Sequence, residues 1–394
     1  EDFMAFFEVV RSPIAIRSSS LLEDSHYQPF AGIYSTYMIP YLEDKQEMLR
    51  MLGDAIKGVY ASVYYKDSKA YMQATSNVID QEKMAVILQE VVGTQRGTRF
   101  YPIISGVARS LNYYPIGDEK PEEGVVSLAL GLGKYIVDGG LTLRVCPYHP
   151  TKVLQTKTME MTLRETQTSF YALDLKNRGE NFSLDDGFNL LKLSVREADK
   201  DGALQFIAST YDPYDMVIRD GIYPGGRKVI TFANILQHDV FPLAKILQLV
   251  QQYGQAEMRR PVEIEFAVLL NQAKKTGTFY LLQIRPMVDV KADLSEDLNL
   301  ISEDSLLLKS FNSLGHGVME DIHDLVYVKT DGYSASNNPA IAYEIEKLNR
   351  KFLNEGKNYV LVGPGRWGSS DSWLGIPIKW PHISAARVIV EAGL

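Results

Sequence analysis

The sequence predicts a mixed α/β protein of the α+β class with more than one domain. Its 394 residues are many for a single hydrophobic core, so two or three domains are the reasonable expectation. Short apolar runs of strand length alternate with stretches whose apolar residues recur at helical spacing. Both kinds of regular element are therefore expected, and we find no internal repeat or low-complexity tract among them.

The N-terminal part begins with loops and short strands. Arg11–Leu42 is dense in Ser, Pro and Gly, which is typical of loops around short strands. Asp44–Met72 has helical spacing, with one apolar face formed by Met48, Leu52, Ile56 and Val59. Met84–Val92 is an apolar run that predicts a buried strand. Val125–Leu130 predicts another strand, and it ends abruptly in Gly131-Leu132-Gly133-Lys134.

The middle of the chain gives fewer signals until a helix and a hairpin appear. Cys146–Pro224 has mixed patterning that includes polar stretches such as Lys176–Asp186. Phe241–Tyr253 predicts a helix, because its apolar residues recur every three or four positions. Val262–Leu270 and Thr278–Met287 then predict two strands joined by the polar turn Asn271–Gly277.

A domain boundary is expected after Met287, where Asp289–Asp304 is acidic and weakly patterned. The remaining ~100 residues have the size of a small domain. We expect them to form a separate α/β unit with a strand at Tyr359–Val362 and a helix at Ala385–Ala392.

Composition and charge narrow the class of protein. The formal net charge of −8 argues against a broad nucleic-acid surface or an acidic-membrane surface, although a local cationic pocket is compatible with it. Cys146 is the single cysteine, so an internal disulfide and a cysteine-rich zinc site are excluded. No apolar run approaches the ~20 residues of a membrane helix, and Glu1–Ala15 lacks the layout of a secretory signal. These features predict a cytoplasmic protein, and the missing initiator Met leads us to expect a piece of a longer one.

The predicted hairpin carries the most informative polar residues. Alternation places Glu263 and Glu265 on one face of the first strand, and Gln283 and Arg285 share a face of the second. A turn centred near Lys274 would set Glu265 across from Gln283 and Glu263 across from Arg285. Carboxylate and amide oxygens suit Mg²⁺, and the planar Arg fork matches phosphate oxygens. The alternative is a solvated strand face whose Glu–Arg pair contributes ~0.2–1 kcal/mol, and a one-residue register slip would break the pairing.

A second polar cluster lies near the N-terminus. Ile14–Ser20 predicts a buried strand that delivers Arg17 into a run of serines, followed by Glu23-Asp24. Arginine and hydroxyl groups together can hold a polyphosphate through charge-assisted hydrogen bonds, although serines also simply populate turns. Gly131-Leu132-Gly133 allows a close backbone approach to a ligand, but it lacks the third glycine of a dinucleotide fingerprint, and no Walker motif is present.

Taken together, these segments resemble the nucleotide-binding domain of phosphoenolpyruvate synthases and pyruvate phosphate dikinases. Ile16–Gly32 is similar to the family stretch VRSSATAEDLPDASFAG, and Leu282–Met287 is similar to the LQSRPI that closes the family's ATP-binding domain. The other matching blocks follow in the family's order: Val86–Val92, Ser105–Ser110, Leu130–Lys134, Tyr253-Gly254 and Val262–Ala267.

The resemblance implies a fold of the ATP-grasp type, in which two lobes clamp ATP and Mg²⁺. It divides the chain into a first part of the nucleotide-binding domain at 1–146, a second part at 147–290 and a small C-terminal unit at 291–394. Carried over to this sequence, it implies that Arg17 and Arg285 hold phosphates and act in catalysis, and that Glu265 and Gln283 hold Mg²⁺. Glu263 would occupy a nearby acidic position facing the ribose or the metal.

The remaining implied contacts concern the nucleotide base and one hydroxyl. Gln89 and the backbone of Val91 and Val92 would edge the adenine. Ser110 stands where the family places a phosphate-contacting Thr. Lys134 replaces the family's Glu after the Gly-Leu-Gly block, a charge reversal at a position expected to touch the nucleotide sugar.

The C-terminal unit resembles a degenerate form of the family's swivelling phosphohistidine domain. His382-Ile383-Ser384-Ala385-Ala386 is similar to the family motif GGxTSHAA, but Ser384 stands in place of the phosphate-accepting His. Gly315–Val318 faintly resembles the start of that domain. His382 is either an alternative acceptor or a structural residue, and Gly363–Gly368 is either an anion-binding loop or a tight turn.

Two functions are therefore expected from the sequence. The first is a phosphotransferase that passes phosphate from ATP to an acceptor outside the chain, either a His of another domain or a pyruvate-type small molecule. The second is a non-catalytic nucleotide-binding module, suggested by Ser384 and by the Lys134 reversal. No segment resembles the family's pyruvate-binding barrel, and the acceptor stays open.

Overall fold

The computed structural model describes most of the chain. The described residues are 2–20, 23, 32–74, 82–113, 115–176, 182–271, 276–287, 302–310, 319, 321–369 and 375–392. Three predicted features fall wholly or mostly outside them: the tip of the hairpin turn, the Gly315–Val318 segment and most of Asp289–Asp304.

Helices and strands are interspersed along the whole described chain, which confirms the predicted mixed α/β class. The helices are α1 (Asp2–Val9), α2 (Lys45–Ser62), α3 (Lys66–Ala74), α4 (Lys134–Val137), α5 (Met159–Glu165), α6 (Val195–Lys200), α7 (Ala233–Leu236), α8 (Leu243–Met258), α9 (Asn338–Glu355) and α10 (Trp380–Ile383). The strands are β1 (Ile14–Ser20), β2 (Tyr37–Ile39), β3 (Met84–Glu90), β4 (Thr94–Arg96), β5 (Arg99–Tyr101), β6 (Ile104–Arg109), β7 (Val125–Ala129), β8 (Leu143–Val145), β9 (Ser169–Asp174), β10 (Leu190–Ser194), β11 (Ala208–Asp212), β12 (Val217–Asp220), β13 (Arg227–Ile230), β14 (Val262–Asn271), β15 (Thr276–Pro286), β16 (Asp324–Tyr327), β17 (Tyr359–Pro364), β18 (Arg366–Trp367), β19 (Gly375–Ile376) and β20 (Ala386–Ala392).

An N-terminal antiparallel sheet of order β2-β1-β3 is covered by α2. The predicted apolar face of α2 packs on it, and the Asp44 side chain caps the helix by accepting from two backbone amides. The single helical stretch predicted for Asp44–Met72 is instead two helices. At the end of α2 the carbonyl of Ser62 accepts from the backbone N–H of Tyr65 at 3.2 Å and from the hydroxyl of Ser68 at 2.8 Å, so its hydrogen bonds come from the connection to α3.

The largest sheet is antiparallel, with the order β15-β14-β6-β7-β8. One face packs on α8, and the apolar side chains of both elements belong to the main hydrophobic core. Gly254 allows the close approach of α8, because a Cβ there would lie 2.6 Å from the Ile284 side chain. The other face carries the polar alternation of β14 and β15.

The weakly patterned segment Cys146–Pro224 contributes β9, β10, β11 and β12 to two smaller sheets, which β4, β5 and β13 complete. They have the orders β10-β9-β5-β4 and β12-β11-β13. Their buried residues, among them Phe170 and Ile230, join the same core as the largest sheet. Strands before and after position 146 therefore share one core, while the proposed boundaries 1–146, 147–290 and 291–394 stay predictions.

The C-terminal part is a parallel sheet of order β16-β17-β20 with α9 packed against it. The predicted helix at Ala385–Ala392 is wrong, because these residues form strand β20 beside β17. The β-branched run Val388-Ile389-Val390 favours a strand, and pairing with β17 overrides the helical spacing. The sequence reading also passed over α9, whose buried face includes Ala342 and Ile345.

Among the described residues, no helix combines the length and the apolar character that crossing a membrane requires.

Candidate functional site

The hairpin pairs in the predicted register. Glu263 lies opposite Arg285, and Glu265 lies opposite Gln283. A bulge follows Glu265, so Phe266 pairs with Leu281 and Leu282 is the extra residue. The polar faces of β14 and β15 therefore coincide next to the bulge.

Arg17 reaches this face from the N-terminal sheet. Its Nη2 donates to Glu265 Oε2 and to Gln283 Oε1, both at 2.6 Å. Its Nη1 donates to Gln89 Oε1 at 3.2 Å, and the Gln89 amide in turn donates to the carbonyl of Leu282 at 2.9 Å. The two sheets therefore meet through side chains from β1, β3, β14 and β15.

Glu263 lies between two arginines. Its Oε1 accepts from Arg285 Nη2 at 2.6 Å and from Arg285 Nε at 3.0 Å, while its Oε2 accepts from Arg109 Nε at 2.6 Å. Burial alone would raise the pKa of Glu263, but the two guanidinium groups outweigh it and hold the pKa below its ordinary value. Glu263 is thus a carboxylate at neutral pH.

The pKa of Arg285 is also set by two opposing effects, burial and neighbouring charges. Burial lowers the pKa of Arg285, whereas Glu263, Glu265 and, more weakly, Glu23 raise it, and the net pKa is raised. Glu23 itself is buried and accepts from the Ser18 hydroxyl at 2.6 Å. The serine run therefore positions an acidic residue that the sequence reading did not count among the site residues.

Arg109 is a second residue of the site that was not predicted from the sequence. It lies opposite Glu263 on β6, a strand far away in the sequence. The matching block Ser105–Ser110 contains it, but only the pairing of β6 with β14 brings it to the site.

Not every residue predicted for the nucleotide site belongs to the group of side chains around Arg17 and Glu263. The Ser110 hydroxyl accepts from the backbone N–H of Val262 at 2.8 Å and borders a groove beside α8, whereas its neighbour Arg109 reaches Glu263. The backbone N–H of Val91 donates to the carbonyl of Pro13 at 2.8 Å. Val92 follows β3 and is half-buried.

The Gly-Leu-Gly block turns the chain from β7 into α4. Gly131 has φ +89°, and a Cβ there would lie 2.6 Å from the Tyr171 carbonyl, so the turn requires glycine. Lys134 then places its Nζ 3.1 Å from both Asp138 and Asp186. Burial lowers the pKa of Lys134, but the two carboxylates outweigh it and the net pKa is raised.

The C-terminal residues singled out by the sequence make local contacts. Ser384 is buried, and its Oγ accepts from the Asn349 amide at 3.3 Å. His382 Nδ1 accepts from the Lys379 backbone N–H at 3.1 Å, which caps α10. The Gly363–Gly368 segment makes a tight turn from β17 into β18, where the Trp367 N–H donates to Glu391 at 3.0 Å.

The group on the two facing sheets has the composition of a site for a polyanion and a divalent cation. Three guanidinium groups supply forked donors for phosphate oxygens, and carboxylate and amide oxygens supply hard ligands. These side chains are Arg17, Arg109, Arg285, Glu263, Glu265 and Gln283.

Comparison with known families agrees with this chemistry. Residues 2–302 match the family described as the pyruvate phosphate dikinase AMP/ATP-binding domain. The match covers more than half of the chain, and the chain belongs to this family. The predicted family is therefore confirmed.

Two curated proteins have detectable sequence similarity to this chain. The chain is 29% identical over 129 residues to the uncharacterized phosphotransferase YvkC of Bacillus subtilis (strain 168), covering 33% of this chain and 14% of that protein. It is 24% identical over 278 residues to the phosphoenolpyruvate synthase of Aeropyrum pernix, covering 69% of this chain and 28% of that protein. The chain thus matches less than a third of the length of either relative.

Proposed function

We propose that this chain binds ATP and Mg²⁺ between its N-terminal sheet and its largest sheet, in the manner of ATP-grasp proteins, and transfers phosphate to an acceptor outside the chain. The observation that carries the proposal is the bond of Arg17, on one sheet, to Glu265 and Gln283 on the other. It joins the two surfaces at the point where charged ligands for a nucleotide are concentrated.

The residues present fit a magnesium ion. Glu265 Oε2 and Gln283 Oε1 are hard oxygen ligands, and they converge on one point, because a single nitrogen of Arg17 lies 2.6 Å from each. The positively charged guanidinium group of Arg17 therefore occupies a position at which the oxygens of Glu265 and Gln283 favour a cation. Bound there, Mg²⁺ would neutralise phosphate charge, and Glu265 and Gln283 would hold it.

Arg17 and Arg285 would bind the phosphate oxygens. Arg17 would give up its bonds to Glu265 and Gln283 and turn its donors to the nucleotide, while Arg285 stays anchored on Glu263. Arg109 holds the other oxygen of Glu263 and keeps that carboxylate fixed. Catalysis would then consist of positioning and of stabilising charge on the transferred phosphoryl group.

The adenine would lie along the edge of β3. The Gln89 side chain is held by hydrogen bonds to Arg17 and to the Leu282 carbonyl. It would therefore lie at the edge of β3 that the adenine contacts. Val91 and Val92 follow directly, and their remaining backbone groups would face the base. Glu263 would face the ribose side or the metal. Ser110 is left out of the proposal, because its hydroxyl is held by Val262 beside α8.

Calorimetric titration with ATP and Mg²⁺ tests the nucleotide site. We expect micromolar binding, ~8 kcal/mol, that is lost in Gln283→Ala and in Arg285→Ala. Arg50→Ala on α2 is the matched control, since it removes an exposed arginine whose ion-pair partner is Glu47 and not a residue of the site. Absence of binding in the unmodified chain, or equal binding in all three variants, would refute the proposal, and circular dichroism would verify that each variant is folded.

The second candidate is a nucleotide-binding module without phosphotransfer. It is favoured by Ser384, which is buried at the position of the family's acceptor His, and by His382, whose Nδ1 caps a helix. In this view the C-terminal unit is a degenerate swivelling domain. Incubation with ATP labelled at both the β- and the γ-phosphate separates the candidates: label transfer to an added His-bearing domain supports phosphotransfer, and tight binding without any transfer supports the module.

The same labelling experiment identifies the phosphate acceptor. A His of another domain and a pyruvate-type small molecule are both compatible with a site whose own residues only bind and position phosphate. Label on the added domain identifies the first, and consumption of ATP that depends on pyruvate identifies the second.

A further inference from the structure

A second cluster of potential metal ligands lies apart from the Arg17 site. It consists of Glu123, Cys146 and His149, whose ligand atoms all lie within 4.8 Å of one another. His149 Nε2 is 3.2 Å from Glu123 Oε2, and Cys146 Sγ is 3.8 Å from the same oxygen. None of the three belongs to the nucleotide site described above.

Two loops at neighbouring strands bring these residues together. Cys146 and His149 stand at the ends of a turn closed by the His149 N–H, which donates to the Cys146 carbonyl at 3.0 Å. Gln248 of α8 fixes this turn by donating to the Pro147 carbonyl at 2.8 Å. Glu123 ends a helical turn just before β7, where its Oε2 also accepts from the Lys120 N–H at 2.9 Å.

We propose that Glu123, Cys146 and His149 form a binding site for a thiophilic divalent cation such as Zn²⁺. A thiolate, an imidazole and a carboxylate are the ligand types that zinc combines in three-ligand sites with an open fourth position. Mg²⁺, by contrast, prefers oxygen ligands. On binding, the Cys146 thiol releases its proton to solvent and its sulfur joins the metal.

The distances suit such a site. Zinc bonds of about 2.0–2.3 Å in a tetrahedron place ligand atoms roughly 3.3–3.8 Å apart. The distances of 3.2 Å and 3.8 Å from Glu123 Oε2 bracket this range. The Cys146 sulfur and the ring nitrogen of His149 lie within 4.8 Å of each other, and side-chain rotations that bring them closer would complete the geometry.

A groove of ≈ 490 Å³ borders the cluster at Glu123, which lines it together with Tyr148 and Gln248. Glu123 and His149 keep part of their side chains exposed, 17% and 26%, whereas Cys146 is buried. A metal held here would thus have its two partly exposed ligands and its open position toward solvent and its thiolate toward the core. It would tie the loop before β7 to the loop after β8.

The ordinary alternative is a His–carboxylate pair beside a buried thiol. The chain contains a natural comparison in His238 and Asp220, which lie 3.0 Å apart and belong to no such cluster among the residues that the structure describes. A metal site requires all three ligands, whereas a simple ion pair does not depend on Cys146.

Cobalt titration of the chelator-treated chain tests the proposal. We expect one equivalent of Co²⁺ to produce a thiolate-to-metal charge-transfer band in the near ultraviolet, and Zn²⁺ but not Mg²⁺ to abolish it. Cys146→Ser should remove the band, and His149→Asn should weaken Co²⁺ binding by about 100-fold, because few ligands share the binding free energy. His238→Asn is the matched control and should bind like the unmodified chain.

Two results would overturn the proposal: no charge-transfer band in the unmodified chain, or equal Co²⁺ affinity in the unmodified and His149→Asn chains. If Cys146→Ser fails to fold, His149→Asn and Glu123→Gln still decide, since both positions are partly exposed. Zn²⁺ should also raise the melting temperature of the unmodified chain and leave that of His149→Asn unchanged.

Discussion

Arg17 and Glu265 are 248 positions apart in the sequence, yet Arg17 Nη2 lies 2.6 Å from Glu265 Oε2. The side chains are 18% and 20% exposed, so the pair is largely shielded from water. One residue belongs to the Arg-Ser-Ser strand and the other to the hairpin. Their contact joins the two sequence segments that predicted phosphate and metal binding independently.

Arg17→Ala should weaken ATP binding while leaving adenosine binding nearly unchanged. A hydrogen bond to a charged group contributes about 1.5–3 kcal/mol, so we expect a loss of roughly 10- to 100-fold for ATP and less than about 2-fold for adenosine. Competition binding with both ligands measures the difference. If ATP and adenosine affinities fall by the same factor, Arg17 supports the fold and does not contact phosphate.

Glu265→Gln should affect nucleotide binding only through the metal. The amide keeps the shape of the side chain but removes the charge that favours Mg²⁺. We therefore expect Mg²⁺-ATP affinity to fall by about 10-fold and affinity for ATP with chelator to change little. Calorimetry with and without Mg²⁺ provides the measurement, and Glu47→Gln on α2 is a suitable control. Equal losses in both conditions would count against a metal role for Glu265.

The hairpin and the shared faces of its two strands were predictable because they depend on local information. Alternation fixes which residues share a face, and a short turn fixes which residues lie opposite. Between the turn and the pair Phe266–Leu281 the strands keep a register that would, if continued, set Glu265 opposite Leu282. The bulge shifts this register, so that Glu265 lies opposite Gln283 and Glu263 lies opposite Arg285. The bulge at Leu282 was not predictable, since its carbonyl is held by Gln89 from a different sheet.

The contacts that could not be predicted from the sequence depend on pairing between strands that lie far apart along the chain. Arg109 reaches Glu263 only because β6 pairs with β14, and Ser110 turns away for the same reason. Strand β20 has apolar residues that also suit a helix, and its parallel pairing with β17 decides the outcome. The family resemblance located the segments, but it did not supply these contacts.

Lys134→Met should destabilise the chain although Lys134 makes no contact with the Arg17 group. Its Nζ lies 3.1 Å from both Asp138 and Asp186, and the side chain is 17% exposed. Removing the cation leaves two carboxylates facing each other, which we expect to cost ~1–2 kcal/mol of unfolding free energy.

Urea unfolding measures this loss, and Lys57→Met is the matched control. Lys57 also lies 3.1 Å from a carboxylate, that of Asp54, but it is 79% exposed. Its loss should cost less than ~0.5 kcal/mol, as for most exposed pairs. Similar values for both variants would show that Lys134 contributes no more than an ordinary surface pair.

Glu263→Gln should give a stability difference that depends on pH. The two guanidinium groups hold the pKa of Glu263 below its ordinary value of 4.5. A carboxylate whose pKa is lower in the folded state stabilises the fold fully above its unfolded pKa, and the stabilisation is lost as the pH falls through the folded pKa. At pH 7 we expect Glu263→Gln to lose about 3 kcal/mol, because Arg109 and Arg285 remain without their buried partner.

Denaturant unfolding at pH 7 and at several values below 4.5 measures this difference. The gap between the unmodified chain and Glu263→Gln should be largest at neutral pH and should narrow as Glu263 becomes protonated, since the protonated acid resembles the amide. Glu344→Gln controls for loss of an exposed pair, that of Glu344 with Lys347 on α9, and should change little at any pH. A gap of constant size across this range would mean that the Glu263 carboxylate charge does not stabilise the fold.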